Sequence, residues 1–600
     1  MDRQTRIAFG LIFVLLIGYF IVMDRLRPEP TAPTPGADTT QVAEAPAGEE
    51  AAAPAWPEAL PPSVPETAAA PDAAAGPAPA MPAAPRRELV VRTDRARYVL
   101  DSRGATVSRI ELLEFAGVDS EHVELIGPLA DEDRAAVLAV DMELPSGMEN
   151  SGGWDFVLDL PAGVDSLVLA AGQEGTVVFS AGDGRGGELR KAFTFYGDRY
   201  EFLLSVGAEF EGGLAGASGV GIEWMRGIRS TERNVKDDHR SFKNVYLVGD
   251  SEKKQGLGNF KGARGLTERG ERSEEGTVQW VGTHSKYFLA AVVPVNLQSG
   301  VATLVGDNED KYLGFRVDYP LRGGRARFVE DFRVYAGPLL FNDLKAYGRG
   351  LEHMVDMGKL IRPISLAIKW LMDFLGRFIP NYGLVIILLS VITKFLFYRL
   401  THKSFKSMKD MQRIQPELKA LQEKYKNNKE QLQKATMELY KKHGVNPLGG
   451  CLPLLLQMPV FFALYRVLRG AVELRGAGFV AWIDDLSTMD VIYRLPFEIP
   501  FLGGFIDNSI SVLPILMGVS MWIQQKLGGS GMGNGGMGQP GQMAAMNKIM
   551  PIFMTFIFYR MPSGLVLYWL VNNILTAAQQ YFIHKGQDDS PGVVTAKAKA

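Results

Sequence analysis

The chain has 600 residues, 46% of them hydrophobic and 22% charged, and a formal net charge of −3. Its single cysteine, Cys451, excludes an intramolecular disulfide framework and any multi-cysteine metal centre, and the seven histidines are scattered without ligand spacing, which removes a zinc or haem enzyme. The near-neutral total hides two opposed parts: residues 1–359 hold 38 basic and 53 acidic side chains, a net of −15, and residues 360–600 hold 26 and 14, a net of +12. Such a chain is not one evenly mixed globule, and the apolar runs decide whether its basic part meets nucleic acid or a membrane.

Ile7 to Met23 is an uncharged run of 17 residues preceded by Arg3 and Arg6, near the lower limit for a spanning helix. With no small-x-small cleavage site beside it, residues 1–27 read as an uncleaved signal anchor rather than a removable signal peptide. Residues 28–85 contain 15 Pro and 20 Ala, eight acidic residues and no basic one, the composition of an extended, disordered tether. From 86 to 340 short β-type runs such as Phe193-Thr194-Phe195-Tyr196 and Tyr287 to Val293 alternate with turn signals such as Gly182-Asp183-Gly184. This density of strands predicts an all-β sandwich. His284-Ser285 has no third orienting group and is read as structural.

Residues 341–381 form a connection that ends in an amphipathic pattern. Arg362, Lys369, Asp373 and Arg377 share one helical face while Ile361, Ile364, Ile368, Leu371, Leu375 and Phe378 cover the other, as in a helix lying in a membrane interface. The part from 382 to 585 holds five apolar segments, roughly 383–400, 451–468, 510–523, 549–559 and 564–583, which with the anchor make six expected transmembrane helices. Between the first two, Arg399 to Lys442 carries 12 basic and 5 acidic residues, whereas Arg469 to Asp507 carries 3 and 6. The positive-inside rule then predicts a multi-pass protein of the bacterial inner membrane with both termini cytoplasmic and the acidic β-domain periplasmic. The basic stretch 401–443 reads as a helical hairpin, with Phe405, Met408, Ile414, Leu418 and Leu421 in its first arm, Pro416 kinking or dividing that arm, and Gly444 as its stop. Gly528 to Gly541, with eight glycines in 14 residues, is a flexible linker without the Gly-Lys-Ser/Thr ending of a phosphate loop. Residues 586–600 form a short tail.

Lys394 is the informative residue, a positive charge within an apolar segment. A buried ammonium is costly, so it should face a wet cavity or snorkel to the nearby end of its span. Ser390 and Thr393 make its face polar. Tyr568, Asn572, Thr576 and Gln579, spaced 4, 4 and 3, form a second polar stripe, and Gln457 adds an amide in another segment. Together they predict a hydrophilic groove, with interhelical polar contacts as the alternative. The apolar interiors of these segments hold no Asp or Glu to couple ion transport and no Ser/His or Asp/Asp pair for proteolysis. No catalytic residue, cofactor site or metal site is expected.

Three motifs carry a family resemblance. The stretch Asn446-Pro447-Leu448-Gly449-Gly450-Cys451-Leu452-Pro453 through Gln457-Met458-Pro459-Val460-Phe461 resembles the signature of the YidC membrane-protein insertases, as does Pro562-Ser563-Gly564-Leu565-Val566-Leu567-Tyr568-Trp569. Ala471-Val472-Glu473-Leu474-Arg475, running on to Trp482 and Ser487, is similar as well. The resemblance implies an insertase and chaperone that helps nascent membrane proteins enter and fold in the lipid bilayer, alone or with the Sec translocon. It implies that Lys394 stands where the family often has Arg and attracts acidic or polar parts of the incoming chain, and that Ser390 and the Tyr568-Trp569 pair contact the substrate. The hairpin would receive the substrate first and could meet the ribosome, with no direct nucleic-acid function. An assembly scaffold acting only after insertion is the alternative.

Overall fold

In the computed structural model the described residues are 85–588, apart from 127–136, 162, 183–185, 250–256, 262–269, 308–311, 322–326, 359, 400, 403–409, 412, 427, 445–451, 498–507 and 528–539. The expected anchor at 7–23, the tether up to 84, Phe405, Met408, the Asn446–Cys451 part of the first motif, the glycine linker to 539 and the tail after 588 lie outside them. All described residues belong to the unit Pro71–Ala600.

Alternation builds the first half. In Glu174–Gly182, Glu188–Tyr196 and Glu201–Glu209 every second side chain is buried, so one face of each strand meets the core and the other faces outward. Phe288–Pro294 is buried at every position, as a strand covered on both faces must be. Among the described residues the strands of this half form a five-stranded and a fourteen-stranded sheet, and a two-stranded pair, Tyr493–Arg494 with Ser509–Ile510, lies in the second half. The larger one turns on the 15-residue strand Gly270–His284, whose first half pairs with Ser299–Asp307 and whose second half pairs with Lys243–Val248 and Phe288–Pro294. Trp224, Trp280, Phe193 and Phe202 are fully buried in a core that joins both sheets. His284 is buried as well, its Nδ1 2.8 Å from the Ser285 carbonyl, and burial pushes its pKa down to about 4. It is a packed core residue.

The second half is helical: α1 (Arg362–Gly376), α2 (Tyr382–Leu396), α3 (Gln415–Lys424), α4 (Lys429–His443), α5 (Leu452–Gly470), α6 (Leu513–Leu527), α7 (Pro540–Phe558) and α8 (Ser563–Asp588). Asn381 caps α2 and Asn428 caps α4 by accepting from backbone N–H groups three residues on. Gly444 ends α4 in the left-handed conformation, where a side chain would be strained. Pro416 stands in the first turn of α3, where its missing N–H costs nothing, so it starts this helix rather than kinking it.

The expectation of six transmembrane helices in a multi-pass chain is corrected here: among the described residues no helix is long and apolar enough to cross a membrane. The topology drawn from it, with cytoplasmic termini and a periplasmic β-domain in the inner membrane, falls with it. The physical reason is length and polarity. Helices α2 and α6 have 15 residues each, about 22 Å at 1.5 Å per residue, against an apolar bilayer core of ~30 Å. Helix α5 carries Arg466 and Arg469 near its C-terminal end, the sequence of α7 has Asn547 and Lys548 near its middle, and the sequence of α8 is broken by Asn572, Asn573, Gln579 and Gln580.

The amphipathic reading of α1 is also revised. Ser365, Ile368, Lys369, Met372 and Leu375 face inward, while Trp370 (65% exposed), Phe374 and Phe378 form an exposed aromatic stripe, the first two rings stacked 5.6 Å apart. Lys369 turns inward because two carboxylates meet it: Asp373 on its own helix, and Glu473 at 2.9 Å. Burial lowers its proton affinity, but the two acids outweigh this and hold its pKa above the ordinary value.

Glu473 belongs to a short turn, Val472–Leu474, that follows α5 and docks on the β-domain. Val472 is buried within the β-domain core. Beside it Arg475 donates from Nε to Glu232 at 2.8 Å and from its terminal nitrogens to the carbonyls of Ala116 (2.8 Å) and Thr231 (3.1 Å). Arg469 donates to Asp237 at 2.8 Å. The third motif thus fastens the helical half to the β-domain.

A close glycine contact seats the segment after α5 against α2. A Cβ at Gly383 in α2 would lie 2.0 Å from the Phe479 ring, whereas one at Gly478 would meet its nearest atom at 3.5 Å. Gly383→Ala is expected to cost about 1–3 kcal/mol through overpacking. Thermal melts of the detergent-solubilised chain check this, with Gly478→Ala as the variant that leaves the midpoint near wild type.

Candidate functional site

Helix α8 packs along α2 on one side and α6 on the other. Its stripe Tyr568, Asn572, Thr576 and Gln579 faces α2, because positions three and four apart lie on one side of a helix. The Lys394 Nζ donates to Thr576 Oγ1 at 2.7 Å, and Thr576 donates to the Asn572 carbonyl at 2.6 Å. Thr393 Oγ1 lies 3.4 Å from the Tyr568 hydroxyl, and the side chains of Asn572 and Gln457 stand beside that same hydroxyl. Further along, Gln579 Nε2 donates to Thr401 Oγ1 at 3.2 Å. Three helices, α2, α5 and α8, therefore supply one polar cluster inside an apolar bundle.

Among the described residues Lys394 forms no ion pair with a carboxylate; a hydroxyl is its hydrogen-bond partner. An ammonium answered only by a neutral oxygen retains most of its attraction for a negative group, so the cluster can receive acidic or polar groups without covalent chemistry.

Two expected site residues stand apart from this cluster. Ser390 is fully buried one turn before Lys394 and donates to the Ile386 carbonyl of its own helix at 2.8 Å. Trp569 lies about 100° around α8 from Tyr568. Its ring packs edge-on against Phe461 at 5.1 Å and tilted against Phe558 at 5.2 Å. Its buried indole N–H has no acceptor among the described residues.

The structure also contains a polar contact that the sequence did not reveal. Asn573 donates to Ser520 Oγ of α6 at 3.1 Å, about 60° around α8 from Thr576. Asn573 and Gln580, seven residues apart, share one side of α8 and were a legible signal. Ser520, a lone hydroxyl in an apolar helix, was not. Around the cluster the helices expose Val391, Phe395 (82% exposed), Trp522, Ile574 and Phe582, an apolar exterior around a polar interior.

Comparison with known proteins fits this division. Residues 88–371 match the family described as "YidC periplasmic domain", and residues 374–590 match "60Kd inner membrane protein". The membrane protein insertase YidC of Pelobacter propionicus is 34% identical over 599 residues, covering 98% of this chain and 100% of that protein. That of Geobacter metallireducens is 33% identical over 602 residues, covering 98% of each. A solved structure of an active YidC insertase with its first transmembrane domain resolved is similar at 19% identity and a TM-score of 0.35, covering 83% of this chain and 92% of that one. With about a third of its residues identical over nearly its whole length, the chain belongs to the YidC family of membrane protein insertases, non-catalytic proteins that help nascent membrane proteins enter and fold in the lipid bilayer.

Proposed function

We propose that this member inserts its substrates through the polar cleft between α2 and α8, with Lys394 as the residue that receives the polar flank of the incoming chain. The observation that carries this reading is the Lys394 ammonium whose hydrogen-bond partner among the described residues is the Thr576 hydroxyl, within a cluster that Tyr568, Asn572, Thr393 and Gln457 complete. A polar segment enters there at a lower desolvation cost than in hydrocarbon, because hydroxyls, amides and one cation replace part of its water. Its apolar neighbour leaves sideways along the exposed Val391, Phe395 and Ile574, where transfer into lipid drives it forward. Ser390 packs beneath Lys394, and Trp569 closes the side of the cleft toward α5 and α7.

Three further roles belong to the same proposal. The basic pair α3–α4, linked by His443 Nε2 and Glu417 at 3.2 Å, receives the substrate first and meets the ribosome. The β-domain meets components of the Sec translocon. The aromatic stripe of α1 rests on the lipid surface, since Trp370 and Phe374 are exposed among the described residues.

The test is insertion of a substrate with an acidic translocated tail, read by protease protection in reconstituted vesicles. Lys394→Ala is expected to lower insertion about 10-fold, in line with loss of one charge-assisted hydrogen bond of ~1.4 kcal/mol. Lys394→Arg is expected to retain it. Unchanged insertion by the alanine variant overturns the charged-cleft reading. Normal protection of the tail with failed downstream assembly would instead support a scaffold that acts after insertion.

A further inference from the structure

We propose that Gln579 is a second contact point in the cleft, an acceptor for the backbone N–H groups of the passing chain. The inference rests on the reading of the cleft as the substrate path. Gln579 is buried, 8% exposed, and its Oε1 has no donor among the described residues. The orientation of its amide follows from its neighbour. Thr401 Oγ1 lies 3.0 Å from the carbonyls of Phe397 and Tyr398 in its own segment, so its single proton is already used there. Thr401 can then only accept from Gln579, at 3.2 Å, which commits Nε2 to Thr401 and leaves Oε1 as the open end. A buried carbonyl oxygen aimed at no donor is a site waiting for an N–H.

Its position relative to Lys394 gives the site its chemistry. Lys394 has three N–H donors and spends one on Thr576, which stands three residues before Gln579 on the same face. Donor and acceptor are thus separated by about 4.5 Å along α8. An extended polypeptide rises ~3.3 Å per residue and offers C=O and N–H groups along one edge. The cleft can therefore hold main chain at two points, a C=O on Lys394 and an N–H on Gln579, whatever side chains the segment carries. Acidic flanks use Lys394 alone; uncharged flanks use the pair. Gln580, equally buried and also with an unpartnered Oε1, stands about 100° around α8 from Gln579 and close to Asn573, whose side chain bonds α6, and is assigned no part in this contact.

The experiment compares wild type, Gln579→Leu, Gln579→Glu and Gln580→Leu as full chains in vesicles. Two substrates with uncharged tails are used, one ordinary and one with prolines at alternate tail positions, which remove N–H groups. Gln579→Leu is expected to lower insertion of the ordinary tail several-fold and to leave the already weaker proline tail unchanged. Gln579→Glu, which keeps an acceptor, is expected to restore the ordinary tail even where the leucine variant folds poorly. Equal loss on both tails, equal loss in Gln580→Leu, or no loss in Gln579→Leu overturns the assignment. If Lys394→Ala still impairs acidic tails in that case, only the Gln579 contact fails; if it does not, the cleft reading itself is at fault.

Discussion

Replacing Arg475 with alanine is expected to loosen the junction between the β-domain and the helices by about 3–5 kcal/mol, the usual cost of leaving one partner of a buried ion pair alone. The side chains of Arg475 and Glu232 are 9% and 12% exposed, so water cannot replace the lost guanidinium. Three acceptors, Glu232 and the carbonyls of Ala116 and Thr231, lose their donor at once, and the guanidinium leaves the face of the Phe288 ring, 5.6 Å away. Burial already lifts the Glu232 carboxyl above its ordinary pKa despite Arg475, so without the cation this acid should take up a proton. Limited proteolysis and denaturant melts of the whole chain check the loss. A double-mutant cycle with Glu232→Ala should return a coupling well above that of an exposed pair. Arg475→Lys should recover only part, because a lysine cannot reach three acceptors in a fixed fork. A melt indistinguishable from wild type would mean that Val472 and the Arg469–Asp237 pair hold the junction without it.

Raising the pH from about 7 to about 9 should stabilise the β-domain by roughly 1.4 kcal/mol per unit through one residue, Lys191. Its ammonium is fully buried, donates to the carbonyls of Gly104 (3.0 Å) and Leu138 (2.6 Å), and lies 5.8 Å from the centre of the Phe193 ring. Gly104 and Leu138 are both at positive φ, 74° and 67°, so this one side chain ties a left-handed turn beside the five-stranded sheet to a bulged residue in the strand Val137–Leu144 of the fourteen-stranded sheet. Burial pushes Lys191 down to about 7, only partly opposed by Glu223. The sign follows from proton counting. Between the folded value and the ordinary 10.5 the unfolded chain binds the extra proton, so stability rises with pH across that window, and the cost of burying the charge is felt in full below it. Glu223 acts oppositely: burial and the neighbouring Asp141 raise its pKa, so its contribution is present at low pH and is lost as pH climbs toward its folded value. Stability should therefore pass through a shallow minimum near neutrality. Hydrogen exchange of the strands Val137–Leu144 and Glu188–Tyr196 across this range measures it, and Lys191→Met should flatten the alkaline limb. A flat profile in the unmodified chain would show that the lysine stays charged and hydrated.

Much of this protein is legible in its sequence because it rests on local, periodic physics. Alternating burial in Glu188–Tyr196 follows directly from the order of its side chains, and the polar stripe Tyr568, Asn572, Thr576 and Gln579 follows from the helical repeat. The motif around Pro562–Trp569 was enough to point to the family, and the comparisons agree. The charge split sharpened the division into a β-sheet half and a helical half. Its conversion into a six-span topology went too far, because an apolar stretch in sequence is longer than the helix the chain builds from it: α2 stops at Leu396, short of the apolar Phe397 and Tyr398. Long-range pairing is what only the tertiary structure decided. Lys369 was placed outward by its charge, yet Glu473, more than a hundred residues later, turns it inward and leaves Trp370 and Phe374 exposed. Arg475, one letter in a recognised motif, acquires its meaning from Glu232, Thr231 and Ala116. Likewise Lys394 and Thr576, 182 positions apart, become one site only because α2 and α8 lie side by side. A residue's own chemistry and its helical or strand period are written locally. Which partner satisfies a buried charge depends on how distant segments pack, and no local pattern encodes that.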